Sequence, residues 1–101
     1  MSFHNYQRPE KFRACIASLK TLGRPVLCTE YMARPQCNLD PLLGHLRDEK
    51  VAGYIWGFVK GRSQTIYPVR SWRETFTAEP KVWNNEILYA DGTPYRREEI
   101  E

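Results

Sequence analysis

A chain of 101 residues with 42% hydrophobic and 13% aromatic content is long enough for one small domain and too apolar to be disordered. Its net charge is +3, and its basic residues are interleaved with acidic ones, as where Arg96 and Arg97 run straight into Glu98 and Glu99; the clustered cationic face of a nucleic-acid binder is missing. No apolar run approaches the roughly 20 residues that span a bilayer, and Cys15, Cys28 and Cys37, odd in number and without CxxC spacing, suggest neither a disulfide framework nor a zinc site.

Residues 1–6 are short, aromatic and extended in character. Arg8-Pro9 then marks a helix start with Pro and Glu10 in the first turn. Phe12, Cys15, Ile16, Leu19 and Leu22 follow at helical spacing until Gly23 supplies a stop. Residues 25–31 are apolar at consecutive positions rather than alternating, the pattern of a strand covered on both faces. A polar loop leads to a second, shorter helix on Leu39, Leu42, Leu43 and Leu46, weakened by Gly44. Residues 51–59 repeat the buried-strand pattern. Residues 60–79 make a connection of the length usually found in functional or disordered loops. Pro80 opens an expected last helix on Val82, Trp83 and Ile87, ended by Asp91-Gly92. Cys15 and Cys28 are expected as small core hydrophobes, Cys37 as a thiol in an exposed loop, and His45 on the surface.

Strands alternating with helices imply parallel strands joined by right-handed crossovers, an α/β fold. Three strands are too few to close a barrel of eight, and parallel sheets normally have both faces covered, so the chain reads as part of a larger fold. In parallel α/β folds ligands bind at the carboxyl ends of the strands. That rule selects His4, Asn5 and Tyr6 after the first strand, Glu30 near the end of the second and Trp56 towards the end of the third. Three of these have a plainer reading: Glu30 as a strand-end acid that caps a helix or pairs with Arg34, His4 as a hydrogen-bonded structural histidine, Trp56 as core packing.

Ser2-Phe3-His4-Asn5-Tyr6, the run from Gly23 to Pro35 containing Thr29-Glu30-Tyr31, Trp56-Gly57-Phe58-Val59-Lys60-Gly61 with Gln64-Thr65, and Asp91-Gly92-Thr93-Pro94-Tyr95 occur in that order. Together they resemble the C-terminal region of cellulase-like and 1,4-β-xylanase-like glycoside hydrolases of clan A, over nearly the whole chain. The resemblance implies a partial TIM barrel: residues 1–101 as the C-terminal part of a (β/α)8 catalytic domain, apparent strands six to eight with their helices. It implies retaining hydrolysis of β-linked glycans with Glu30 as the nucleophile, and His4, Asn5, Tyr6, Trp56 and Gln64 as substrate-binding residues, with Lys60 and Arg62 near further hydroxyls.

The implied substrate is a polysaccharide or oligosaccharide, and the mechanism calls for no cofactor and no metal. The partner acid/base has no counterpart, because the one Asn-Glu pair, Asn85-Glu86, falls in the expected last helix. The chain also departs from the pattern at Gln36-Cys37-Asn38, where a small Gly-Ser-type loop is usual, and at Val69-Arg70 before Ser71-Trp72, where an aromatic-acidic pair is usual. The expectation is a fragment without turnover of its own unless a partner chain supplies the missing N-terminal barrel half, and one that self-associates. The alternatives are an inactive carbohydrate-binding or interaction module, or a truncated reading frame, as Met1 inside the apparent sixth strand suggests. Nothing directs the chain to a membrane or out of the cell, and its localisation stays open.

Overall fold

The computed structural model describes all 101 residues. Ser2–His4 form β1. Pro9 at the first helical position gives up an N–H that has no partner there, and Glu10 meets the positive end of the helix dipole, so the chain enters α1 (Pro9–Lys20) as its sequence implies. Phe12 and Ile16, on the apolar stripe of α1, are fully buried. Beyond the last turn Gly23 takes φ +64, a conformation that favours glycine. β2 (Leu27–Tyr31), α2 (Leu39–Asp48) and β3 (Ala52–Ile55) follow.

The three strands pair in parallel in the order β1-β2-β3. This is a small α/β fold in which two helices connect three parallel strands, as the alternation of patterns implies. The core lies between helices and sheet: Phe12 and Ile16 of α1 meet Cys28 and Tyr31 of β2 and Leu42 and Leu46 of α2. Phe3, Phe12 and Tyr31 form an aromatic chain with ring centroids 6.1 and 6.0 Å apart. Each such side chain, fully buried, contributes about 1.5–3 kcal/mol. Gly53 lets β3 close on this layer, because a Cβ there would stand 2.5 Å from Leu46 Cδ1 and 2.9 Å from Tyr31 Cε1. The next residue, Tyr54, is 61% exposed, and Ala52 and Gly53 are exposed as well, so β3 is only lightly covered.

Three expectations are corrected. The third strand does not run to residue 59: it ends at Ile55, and Gly57, at φ +93, turns the chain. Cys37 is buried rather than exposed, inside a tight turn where the Ala33 and Cys37 backbones exchange hydrogen bonds of 2.8 and 3.0 Å.

The last helix does not form. Asn84 N–H donates to Ile66 O at 2.8 Å, Asn85 N–H to Thr65 O at 3.1 Å, and Ile87 and Leu88 N–H both to Phe58 O at 3.0 Å. These non-local bonds take donors that a helix would have used, in a segment whose two asparagines favour turns over helix. Glu86 has φ +67, which breaks any helix at that point. Val59 and Leu88 form a parallel bridge, Leu88 and Pro94 an antiparallel one.

This second half of the chain is organised by an aromatic cluster. Trp83, 1% exposed, stacks on Tyr95 at 4.4 Å and meets Tyr89 edge-on at 4.7 Å. The Arg34 guanidinium lies 5.0 Å from the centroid of the Tyr95 ring. Arg34 also closes a buried ion pair, its Nε and Nη2 donating to Glu99 at 2.8 and 2.5 Å and its Nη1 to Trp83 O and Asn85 O. The pairing of Arg34 with Glu30 is therefore not made.

Candidate functional site

The geometry at Glu30 comes from a bulge in β2. Phe3 pairs with Cys28 and His4 with Glu30, so Thr29 is an extra residue between the two pairs. Strict alternation would send Cys28 and Glu30 to the same face. The bulge shifts the period by one, so Cys28 and Tyr31 enter the core while Thr29 and Glu30 stay partly exposed. Thr29 Oγ1 holds the bulge in place, donating to Phe3 O at 3.0 Å and standing 2.8 Å from His4 Nδ1. Immediately after the strand, Met32 takes φ +75 although fully buried. Such strain persists only where surrounding contacts impose it, and here Asn85 Nδ2 donates to Met32 O at 2.7 Å.

A cleft of about 580 Å³ opens beside the carboxyl end of β2. Tyr6, Glu30 and Ala33 form one wall, and Trp56 borders it from the end of β3. The loop after β3 contributes Gln64, Thr65, Tyr67, Val69, Ser71 and Trp72, and the backbone returning from Trp83 adds Asn84 and Asn85. A one-turn 3-10 helix, Val69–Trp72, shapes the loop's far side. Six residues of the long connection thus line the cleft. Trp56 and Trp72 present exposed indoles, 55% and 86% accessible.

Four of the residues selected from sequence meet here: Glu30, Tyr6, Trp56 and Gln64. Tyr6 Oη donates to Glu30 Oε2 at 2.7 Å. Burial, then the hydrogen bond and charge of Glu30, push the Tyr6 phenol well above its ordinary range, so it stays protonated and remains a donor. Glu30 Oε1 is left without a hydrogen bond, 3.9 Å from His4 Nε2. His4 does not itself line the cleft, and its side chain is 60% exposed.

Asn5 is turned away. Its Oδ1 accepts from Gln7 N–H at 2.9 Å and its Nδ2 reaches Gln7 Oε1 at 3.4 Å, which makes it a local turn residue. Lys60 is engaged by Glu79 and lies 5.3 Å from the Trp83 ring centroid.

Sequence reasoning passed over Asn84, Asn85 and Glu86 because it placed them on a helix. The Glu86 carboxyl is completely buried. Its Oε1 accepts from Thr65 Oγ1 and from Ser63 Oγ, at 3.3 Å in the latter case, and its Oε2 has no partner. Gly57 lies directly over this carboxyl, since a Cβ there would stand 2.8 Å from Glu86 Cδ and from Thr65 Oγ1. Glu86 therefore ties together the turn after Trp56 and the loop residue Thr65. The one signal in the sequence is Gly57 directly after an aromatic strand end, a mark of close backbone approach; nothing local to Glu86 points to its burial.

No group of three or more His, Cys, Asp or Glu is arranged to hold a metal ion. No helix is long and apolar enough to cross a membrane. Exposed aromatic rings, amide side chains and one carboxylate held by a phenol suit a neutral polyhydroxylated ligand, whose ring faces are apolar and whose edges are hydrogen-bonding. Comparison of the chain with protein-family models, with curated proteins and with solved structures finds no match in any of the three.

Proposed function

We propose that this chain is the nucleophile-bearing, C-terminal part of a (β/α)8 glycoside hydrolase that acts with retention on β-linked glycans. The observation that carries the reading is the pairing of Glu30 with Tyr6 on the wall of an aromatic-lined cleft at the carboxyl end of a parallel strand. Tyr6 occupies Oε2, so Oε1 is the oxygen free to attack an anomeric carbon. Trp56 offers a stacking surface for the pyranose, and Gln64, Asn84 and Asn85 offer donors and acceptors for its hydroxyls.

In this chemistry the Glu30–sugar bond forms as the glycosidic C–O bond breaks, and the departing oxygen takes a proton from a second carboxyl group about 5 to 5.5 Å from the first. Glu30 is the only carboxylate that lines the cleft. General acid catalysis is typically worth about 10² to 10⁴-fold. The chain by itself is therefore expected to bind glycan and to leave ordinary glycosidic bonds intact. The same observation favours a second reading, a glycan-binding module without turnover.

A leaving group that departs without a proton separates the two. Incubated with a dinitrophenyl 2-deoxy-2-fluoro-β-glycoside, which needs no acid, the chain should become glycosylated at Glu30, seen as one added sugar mass on the peptide that carries it. Glu30→Gln should take no label, because an amide is a far poorer nucleophile. A wild-type chain that binds cello- or xylo-oligosaccharide but is never labelled would leave only the binding module.

A further inference from the structure

The exposed surface that could take sugar continues past Trp72. Trp72, with Gln64, Tyr67 and Ser71, lines both the Glu30 cleft and a second, open depression of about 460 Å³, which Arg73, Glu74, Thr75 and Phe76 complete. An indole 86% exposed and shared by two depressions is placed like the platform between adjacent subsites, because a ring stacked on it has neighbours in both directions.

The two depressions differ in charge. Glu30 is the charged side chain of the first, whereas Arg73 and Glu74 line the second. Glu74 already has a cation: Arg70 Nε stands 3.9 Å from its Oε2, and the Arg70 guanidinium lies 5.4 Å from the Phe76 ring centroid. Arg73 has no such commitment. Its hydrogen bond is that of its backbone N–H to Arg70 O at 2.9 Å, which closes the 3-10 turn and leaves the guanidinium donors free. A planar fork of donors on the wall of a polar depression matches a carboxylate in two-point contact.

Resting on the glycan reading of the Glu30 cleft, we propose that the depression beyond Trp72 is a second subsite, for a sugar unit carrying a carboxylate. Trp72 stacks on the ring at the junction and Arg73 holds the uronate. The natural ligand is then a β-linked glycan that is neutral where it meets Glu30 and acidic one ring or one branch further on.

Calorimetric titration of the full chain with two ligands tests this: a neutral β-1,4-xylo-oligosaccharide, and the same backbone bearing one glucuronic acid branch. The acidic form should bind about tenfold more tightly, equivalent to about 1.4 kcal/mol. Arg73→Gln should abolish that preference while leaving the neutral ligand within about twofold. Arg73→Lys should keep part of it, as a charge without the fork. Salt near 1 M, where the Debye length is about 3 Å, should erase most of it. Trp72→Ala should weaken both ligands. Equal affinity for the two ligands, or a preference that survives Arg73→Gln, overturns the subsite and leaves the Glu30 cleft standing. Failure of both ligands to bind defeats the subsite, and failure of cello-oligosaccharide as well defeats the glycan reading with it.

Discussion

Tyr6 and Glu30, 24 residues apart in sequence, meet at 2.7 Å, the phenol donating to one carboxylate oxygen and leaving the other free. The pair joins the end of β1 to the end of β2, and its strength is open to measurement through the phenol. Burial is the largest cause of the raised Tyr6 value, followed by the hydrogen bond to Glu30 and its charge. Glu30→Gln removes the charge and keeps the burial. Phenolate absorbance should then appear at lower pH than in the wild-type chain, yet still above the ordinary value of 10.0. A titration that the substitution does not move would mean that Glu30 does not hold Tyr6.

A second consequence is alkaline instability. Desolvation raises Cys28 from 9.0 to about 11 and Tyr31 from 10.0 to about 12, and it raises Tyr6 as well. All three groups are harder to ionise folded than unfolded, so at high pH the unfolded chain loses its protons first. Each contribution to stability is therefore complete below the unfolded value and is lost as pH rises through the folded one. The urea midpoint should be level up to about pH 9 and fall from there towards pH 12, a window set by the Cys28 and Tyr31 shifts. Cys28→Ala should push the onset of the fall upwards. A midpoint unchanged at pH 11 would contradict the burial of both groups.

Arg34 is the residue on which the C-terminal segment depends. Its side chain is 0% exposed and that of Glu99 is 5% exposed, and Arg34 also satisfies the carbonyls of Trp83 and Asn85. Removing one partner of a buried pair strands the other, at a cost of about 3–5 kcal/mol. Arg34→Ala should therefore release residues 96–101 and loosen the Trp83–Tyr95 stack, measured as lost hydrogen-exchange protection there and a lower denaturation midpoint. Arg34→Ala with Glu99→Ala should recover part of the loss, since no unpaired charge is then buried. Equal loss in the single and double variants would show that the carbonyl contacts outweigh the ion pair.

The first half of the fold was legible in the sequence because local and tertiary preferences agree there. Pro9 and Gly23 bracket α1, leucines at helical spacing mark α2, and the consecutive apolar residues at 25–31 mark β2. The second half was not, because its structure is set by non-local pairing. Val82, Trp83 and Ile87 have helical spacing, but Asn84, Asn85, Ile87 and Leu88 give their backbone donors to Ile66, Thr65 and Phe58, partners that only the folded loop supplies. Glu30, Tyr6 and Trp56 could be brought together from strand-end position alone. The burial of the Glu86 carboxyl and the turn of Asn5 away from the cleft could not, since the first depends on the loop and the second on a hydrogen bond within three residues.

The sheet itself carries the last prediction. β1 and β3 each pair with β2 alone, so both outer strands present unpaired backbone donors and acceptors. Tyr54, Phe58 and Val59, on or just beyond β3, are 61%, 58% and 43% exposed, and Trp56 between them is 55% exposed. With 17 of 101 residues buried and a radius of gyration of 14.5 Å, the chain is less condensed than the roughly 13 Å expected of a domain this size. Its extents of 47 × 33 × 21 Å describe a slab rather than a sphere. Apolar surface left in water forgoes about 25 cal/mol per Å². A few hundred Å² therefore amounts to several kcal/mol, against a total stability of about 5–15 kcal/mol for a small domain. Open parallel edges beside such a surface invite pairing with another chain. Sedimentation velocity should accordingly show association that grows with concentration, and Tyr54→Lys, which puts a charge on the open edge strand, should shift the chain towards monomer. A monomer at all concentrations that melts in one sharp transition would show instead that the three strands and two helices are a self-sufficient domain, and that the exposed face needs no cover.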